Sequence, residues 1–230
     1  MWTETQRENK QELAELLAES VASRLKEVIA EKEKAVLVVS GGSTPQSFFQ
    51  ALSEQQLDWA KVSITLADER WLDVEDVRSN EKLVRENLLQ NEARLAYFLG
   101  LKNSADSPAE GIMDCETNLR TQNMEPDVVI LGMGDDGHTA SWFPGSQQLA
   151  ALTDIENSAW CFPVEDEFLA EPRMSLSWRL MSKAKKIYLH FTGEDKRPVF
   201  ERAQQSRSDA LPVSLILHQS HVPVSIFYSL

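Results

Sequence analysis

The stretch AVLVVSGGSTPQSFFQAL, Ala35 to Leu52, decides the fold. Its first residues are apolar without alternation, and Val36, Val38 and Val39 are β-branched. A strand with one wet face alternates apolar and polar residues, whereas a strand covered on both faces does not. Gly41 and Gly42 then break the run, and Phe48, Phe49 and Leu52 follow at helical spacing. Strand, glycine turn and helix form the repeating unit of parallel α/β sheets.

The unit recurs along the chain. Strands are expected at VSITLA (Val62 to Ala67), DVVIL (Asp127 to Leu131), KKIYLHFT (Lys185 to Thr192) and the final VPVSIFYSL. Helices are expected from about Ser79 and over KRPVFERAQQ. A first helix is marked by Leu13, Leu16, Leu17, Val21, Leu25, Val28 and Ile29, with Thr3 and Gln6 as a capping box. DSPAEG and VEDEFLAEPR read as surface loops. With no repeat, low-complexity tract or linker, residues 1–230 read as one α/β domain with a mostly parallel sheet.

The 230 residues include 36 Asp and Glu against 23 Lys and Arg, a formal charge of −13. Such a balance argues against nucleic acid or an anionic membrane as a partner. A small anion remains compatible with it, provided cations gather locally. Cys115 and Cys161 lack metal-ligand spacing and read as reduced, half-buried thiols. The N-terminal stretch has no apolar signal core, and no run is long enough to span a bilayer, so a cytoplasmic chain is expected.

In open α/β sheets ligands bind beyond the carboxyl ends of the strands. Four polar stretches fall there: Gly41 to Thr44, Asp68 to Arg70, Gly132 to His138, and Gly193 to Lys196. In SGGSTP, glycines permit close approach of an anion, and Ser43 and Thr44 add hydroxyls before a helix start. The same residues also suit a tight turn with a Ser or Thr cap. Arg70 and Asp68 suit an anionic oxygen and a sugar hydroxyl, and equally a solvated pair. Arg173 and Lys196 are further cations able to close on a phosphate.

Gly132, Gly134 and Gly137 spell the dinucleotide fingerprint GxGxxG. The third glycine of that fingerprint must lie in a helix, yet Pro144 and Gly145 follow within two turns, and Asp135 and Asp136 would repel a pyrophosphate. The loop instead brings His138 within two residues of Asp136, an arrangement suited to taking a proton from water. A structural histidine fits the same residues. His190 reads as a packed or edge residue, and His218 and His221 as loop residues in solvent.

VVSGGSTPQSFFQAL, LADERWLDVEDVRSNEKLVRENLL, PDVVILGMGDDGHTASWFPGS and PRMSLSWRLMSKAKKIYLHFTGEDKRPVF resemble, in this order, the 6-phosphogluconolactonase family. That family lies within a wider group that includes glucosamine-6-phosphate deaminases. The resemblance implies an open, Rossmann-like, mostly parallel sheet with helices on both faces. It implies hydrolysis of 6-phosphoglucono-1,5-lactone to 6-phosphogluconate in the pentose phosphate pathway, without metal or organic cofactor. His138 would be the general base, held by Asp136. Arg70 would bind substrate or polarise its carbonyl. Gly41, Gly42, Ser43, Thr44, Arg173 and Lys196 would hold the phosphate, and Asp68 a hydroxyl. The expected partner is the phosphorylated sugar lactone, with the protein a monomer or weak homo-oligomer. The alternatives are a deaminase-like sugar-phosphate enzyme, a sugar-phosphate-binding protein without catalysis, or a nicotinamide dehydrogenase. The deaminase loop resembles GHIAFNEPG, with a glutamate where Phe143 stands here. A phenylalanine cannot shuttle protons.

Overall fold

A computed structural model describes residues 2–42 and 44–229. In chain order the elements begin with β1 (Trp2–Arg7), α1 (Lys10–Lys32), β2 (Ala35–Val39), α2 (Gln46–Ser53), β3 (Val62–Leu66) and β4 (Asp68–Arg70). Next come α3 (Asn80–Asn87), β5 (Tyr97–Leu99), α4 (Pro108–Thr121), β6 (Val128–Leu131), α5 (Leu149–Thr153) and β7 (Cys161–Val164). The rest are β8 (Arg173–Leu176), α6 (Trp178–Met181), β9 (Lys186–Thr192), α7 (Lys196–Gln205), α8 (Val213–His218) and β10 (Val224–Ser229).

Seven strands form one sheet in the order β1-β10-β9-β6-β2-β3-β5, and every pairing in it is parallel. From β2 the chain steps outward through β3 to β5, then returns to the other side of β2 as β6. The topological switch point therefore lies between β2 and β6, where such sheets open a crevice at their carboxyl ends. Side-chain parity on β9 shows the two covered faces. The Tyr188 hydroxyl bonds Ser20 O of α1, and His190 meets Phe48 of α2. Phe191, pointing the other way, packs on Phe200 of α7.

Burial of α1 anchors the first face. Leu13, Leu17, Val21, Leu25 and Val28 are buried along one stripe, and each such side chain contributes roughly 1.5–3 kcal/mol. The helix is capped by Asn9, whose side chain accepts from the amides of Gln11 and Glu12. The expected Thr3–Gln6 capping box is thus corrected: both residues lie in β1, an edge strand whose polar sequence hid its pairing with β10. At the amino ends of the strands, the buried Asp127 carboxylate accepts from Val36 N at 2.8 Å and pairs with Lys32 at 2.6 Å.

A second sheet, antiparallel in the order β4-β8-β7, was not foreseen. Asp68–Arg70 is a strand of it rather than the tail of β3. VEDEFLAEPR contributes the end of β7 and the start of β8, with a loop between them. DSPAEG is likewise no simple loop. Ser107 caps α4 by accepting from Glu110 N, with Pro108 as the first helical residue.

Candidate active site

A cleft of about 290 Å³ opens above the switch point, between the carboxyl ends of the large sheet and the small sheet. Gly41, Gly42, Thr44, Asp68, Arg70, His138, Arg173 and Lys196 all line it. Asp136 is not in the wall but contacts His138 from behind. Ser43 lies outside the described residues. Three cations, Arg70, Arg173 and Lys196, face two lining carboxylates, Asp68 and Asp135, so the local balance opposes the −13 of the whole chain.

The glycines of the fingerprint fold the loop around an imidazole. Gly134 N donates to His138 O at 2.9 Å, and Gly137 N to Gly134 O at 3.0 Å. Gly137 sits at φ +83°, a left-handed conformation that suits glycine. A Cβ on Gly134 would lie 2.2 Å from His138 Cε1 and Nδ1. No helix follows until α5, so the helix that a dinucleotide fingerprint needs is absent among the described residues.

Asp136 Oδ1 accepts the His138 backbone amide at 3.0 Å and stands 2.6 Å from His138 Nδ1. This contact favours the tautomer with its proton on Nδ1 and leaves the Nε2 lone pair as a base. Burial opposes ionisation of Asp136, yet the hydrogen bonds from the His138 ring and amide outweigh it and hold the carboxyl below its ordinary range. The Phe143 ring packs 4.5 Å from the imidazole and lies 5.2 Å from the Arg173 guanidinium.

The period of two in β4 separates its charges. Asp68 and Arg70 face the cleft, while Glu69 points away with no exposed surface. Arg70 stands directly across from Arg173 in the β4–β8 register. Like charges opposite each other are destabilising. Asp68 partly offsets them, 3.6 Å from Arg173 and held by the Ser141 hydroxyl at 2.6 Å. Burial, aided by the Arg70 charge and opposed by Asp68, draws the Arg173 guanidinium below its usual range. Arg70 donates through Nη1 to Arg78 O. The Nε atoms of both arginines are buried without a partner among the described residues. Two buried donors and two facing cations form a site short of negative charge.

Lys196, also in the lining, opens α7 and donates to Met133 O at 2.7 Å, with Asp135 at 3.9 Å. Gly42 sits at φ +95° in the turn before α2. That helix begins at Gln46, with Pro45 at its cap position and no side-chain cap bond, so Thr44 does not serve as the cap.

Three residues escaped the sequence reading. Glu69 accepts from the amides of Arg70, Asn80 and Glu81 and from the Ser79 hydroxyl, holding the start of α3 beneath the cleft. Burial raises its pKa despite these donors. Asn80 lines the cleft, donates to Asp68 O at 2.8 Å and presses on Gly41, where a Cβ would meet its Oδ1 at 1.9 Å. His190 is packed, as expected, but also lines the cleft. Only its tertiary surroundings reveal that. His218 is corrected from loop to helix end: it closes α8, with Nε2 3.0 Å from Ala203 O. Cys115 and Cys161 are fully buried rather than half-buried, and free.

Fold and cleft together define a doubly wound α/β protein with a cation-lined cleft at its switch point. Residues 8–225 match the family model described as glucosamine-6-phosphate isomerases/6-phosphogluconolactonase. A 6-phosphogluconolactonase from Mesorhizobium japonicum is 42% identical over 218 residues, 95% of this chain and 91% of that one. One from Rhizobium meliloti is 38% identical over 223 residues, 96% of each. The crystal structure of a 6-phosphogluconolactonase from Shewanella baltica superposes with a TM-score of 0.96 at 40% identity, covering 100% of this chain and 98% of that one. The chain belongs to the glucosamine-6-phosphate isomerase/6-phosphogluconolactonase family. A monomeric glucosamine-6-phosphate deaminase, 18% identical with a TM-score of 0.77 over 97% of this chain and 96% of that one, shares the fold.

Proposed function

We propose that this chain hydrolyses 6-phospho-D-glucono-1,5-lactone to 6-phospho-D-gluconate in the oxidative branch of the pentose phosphate pathway, with His138 as general base. The activity is supported by the 6-phosphogluconolactonases at 38% and 42% identity over nearly the whole chain. The base is supported by one observation above all: the Asp136–His138 contact at 2.6 Å, in the wall of a cation-lined cleft.

In this reading Nε2 of His138 takes a proton as the water oxygen attacks the lactone carbonyl. The carbonyl electrons move onto its oxygen. Their return breaks the bond to the ring oxygen, which receives the proton back from the imidazolium. Asp136 keeps the productive tautomer and steadies the imidazolium. Arg70 supplies positive charge toward the developing oxyanion. Arg173, Lys196 and the turn Gly41, Gly42, Ser43 and Thr44 hold the phosphate, and Asp68 accepts a sugar hydroxyl. Phe143, buried against His138, leaves that position without the acid–base group that amino-sugar chemistry would use. A single domain, a cytoplasmic setting and a monomer or weak homo-oligomer belong to the same reading. Among the described residues, no helix is long and apolar enough to cross a membrane.

NMR of freshly made phosphogluconolactone, followed against its spontaneous opening, tests the activity. Catalytic amounts of protein are expected to accelerate opening, and unphosphorylated gluconolactone is expected to be a poor substrate. Equal efficiency on the two lactones would remove the phosphate site from the reading.

A further inference from the structure

The cleft holds a second histidine that the proposed reaction does not use. His190 comes from the carboxyl half of β9, on the face covered by α1 and α2, and is 4% exposed. Phe48 of α2 meets its ring edge-on at 6.0 Å. The rings of His138 and His218 have hydrogen-bond partners, but that of His190 has none among the described residues. Burial, reinforced by the Lys196 charge, lowers its pKa to about 4, so the imidazole is neutral, with one N–H donor and one lone pair. The ring nitrogens are not sealed from the cleft that His190 lines, so an unbonded N–H there is open to a bound acceptor.

What surrounds the ring indicates what would satisfy it. The Ser40 hydroxyl, buried and without a partner among the described residues, lines the same cleft. So do Gly41 and Gly42 of the turn before α2, and Lys196. Of the two lining carboxylates, Asp135 stands 3.9 Å from Lys196 and is 82% exposed. Hydroxyl, imidazole and ammonium donors therefore line one cleft, with the Lys196 charge near enough to act on the imidazole.

We propose that His190 is a further substrate-binding residue, whose imidazole N–H donates a hydrogen bond to a phosphate oxygen held between Lys196 and the Gly41–Gly42 turn. This rests on the reading of the cleft as a phosphosugar site and adds a neutral donor to its cations. Bonded to an anion, such a donor contributes differently from a lysine: it adds direction without adding charge.

The test uses the wild-type chain with ¹⁵N-labelled histidine. Long-range ¹H–¹⁵N spectra report each ring's nitrogens during titration with 6-phosphogluconate, inorganic phosphate or unphosphorylated gluconate. The His190 nitrogens are expected to shift with the first two and stay in place with gluconate. In kinetics, His190→Leu is expected to raise KM roughly tenfold to a hundredfold with kcat within about threefold, and His190→Gln, which keeps an N–H donor, to recover most of that loss. A His190 signal unmoved at saturating 6-phosphogluconate overturns the proposal. An equal response to gluconate, or a Gln variant as impaired as the Leu variant, also overturns it. If the wild type turns over no lactone, the functional reading fails instead, and the inorganic phosphate titration still decides the role of His190.

Discussion

β2 of the large sheet reads Ala-Val-Leu-Val-Val and is buried at every residue. β4 of the small sheet reads Asp-Glu-Arg, and two of its three residues are as deeply buried. The first strand gains its place from transfer of apolar surface out of water. The second must bond each charge it buries, and does so by sending Glu69 one way, into four donors, and Asp68 and Arg70 the other, into the cleft. Equal burial thus serves two purposes. In the large sheet it makes the fold, and in the small sheet it holds Asp68 and Arg70 in the wall of the cleft. The His138 loop joins the two, since it leaves β6 of the large sheet and reaches Asp68 of the small one through Ser141.

Substitutions can break this division. The largest effect is expected at His138, which belongs to neither sheet. His138→Asn is expected to lower kcat by about 10²–10⁴ while the melting temperature stays near that of wild type. A folded variant with undiminished turnover would end the proposed role, and kcat measured beside a thermal melt decides it.

His190, a titratable group in the apolar sheet, is expected to tie stability to pH. Its folded pKa of about 4 lies below the ordinary 6.5, so between those values the unfolded chain binds a proton that the folded chain refuses. Stability is therefore expected to fall as pH drops from 6.5 toward 4, by roughly 3 kcal/mol from this residue, being about 2.5 units at 1.36 kcal/mol each. Denaturant unfolding at stepped pH checks this, with His190→Leu expected to show a flatter profile.

Glu69→Ala is expected to destabilise by about 2–3 kcal/mol, because it strips four donors of their acceptor. Activity per folded molecule should suffer less than in His138→Asn, which separates the supporting face of β4 from its working face. The smallest expected effects concern the facing arginines. Arg173→Ala should mainly raise KM, at a loss of roughly 2 kcal/mol, whereas Arg70→Ala should lower kcat as well. Steady-state kinetics on both variants test this split, and matching KM-only changes would show that the two guanidiniums act on one group.

The comparison also explains what the sequence could disclose. β2 and β6 are unbroken apolar runs, and β3, β9 and β10 keep enough Val, Ile, Leu and aromatic residues around Ser63, Thr65, His190 and Ser225 to read directly, because burial on both faces favours such residues. β1, β4, β7 and β8 are short or polar; the partners of β1 and β4 are distant in sequence, and β7 meets β8 across the polar loop 165–172, so no apolar run or tight-turn signal betrays them. The Ser107–Pro108–Glu110 start of α4 was visible, but its sparse apolar spacing made it look like a loop. His138 and Asp136 were legible because two residues of one loop make the pair. The four strand-end stretches converge as the parallel sheet requires. Glu69, Asn80 and His190 were silent, since each depends on segments brought together only by folding.

One pairing bears on how the chain reaches this state. Among the described residues β10 is the one strand that pairs with β1, with Thr3 opposite Ser225, 222 positions further along. During synthesis Trp2–Arg7 waits for its neighbour until nearly all of the described chain has left the ribosome. The β2–β3 and β2–β6 pairings, by contrast, join segments that are all made before residue 132. Loop closure over the span from β1 to β10 is slow relative to local contacts. Until it happens, the open flank of β10 offers unpaired backbone groups to any other extended chain. The polar sequence of β1, unhelpful for recognising it as a strand, keeps that waiting segment from sticking in the meantime.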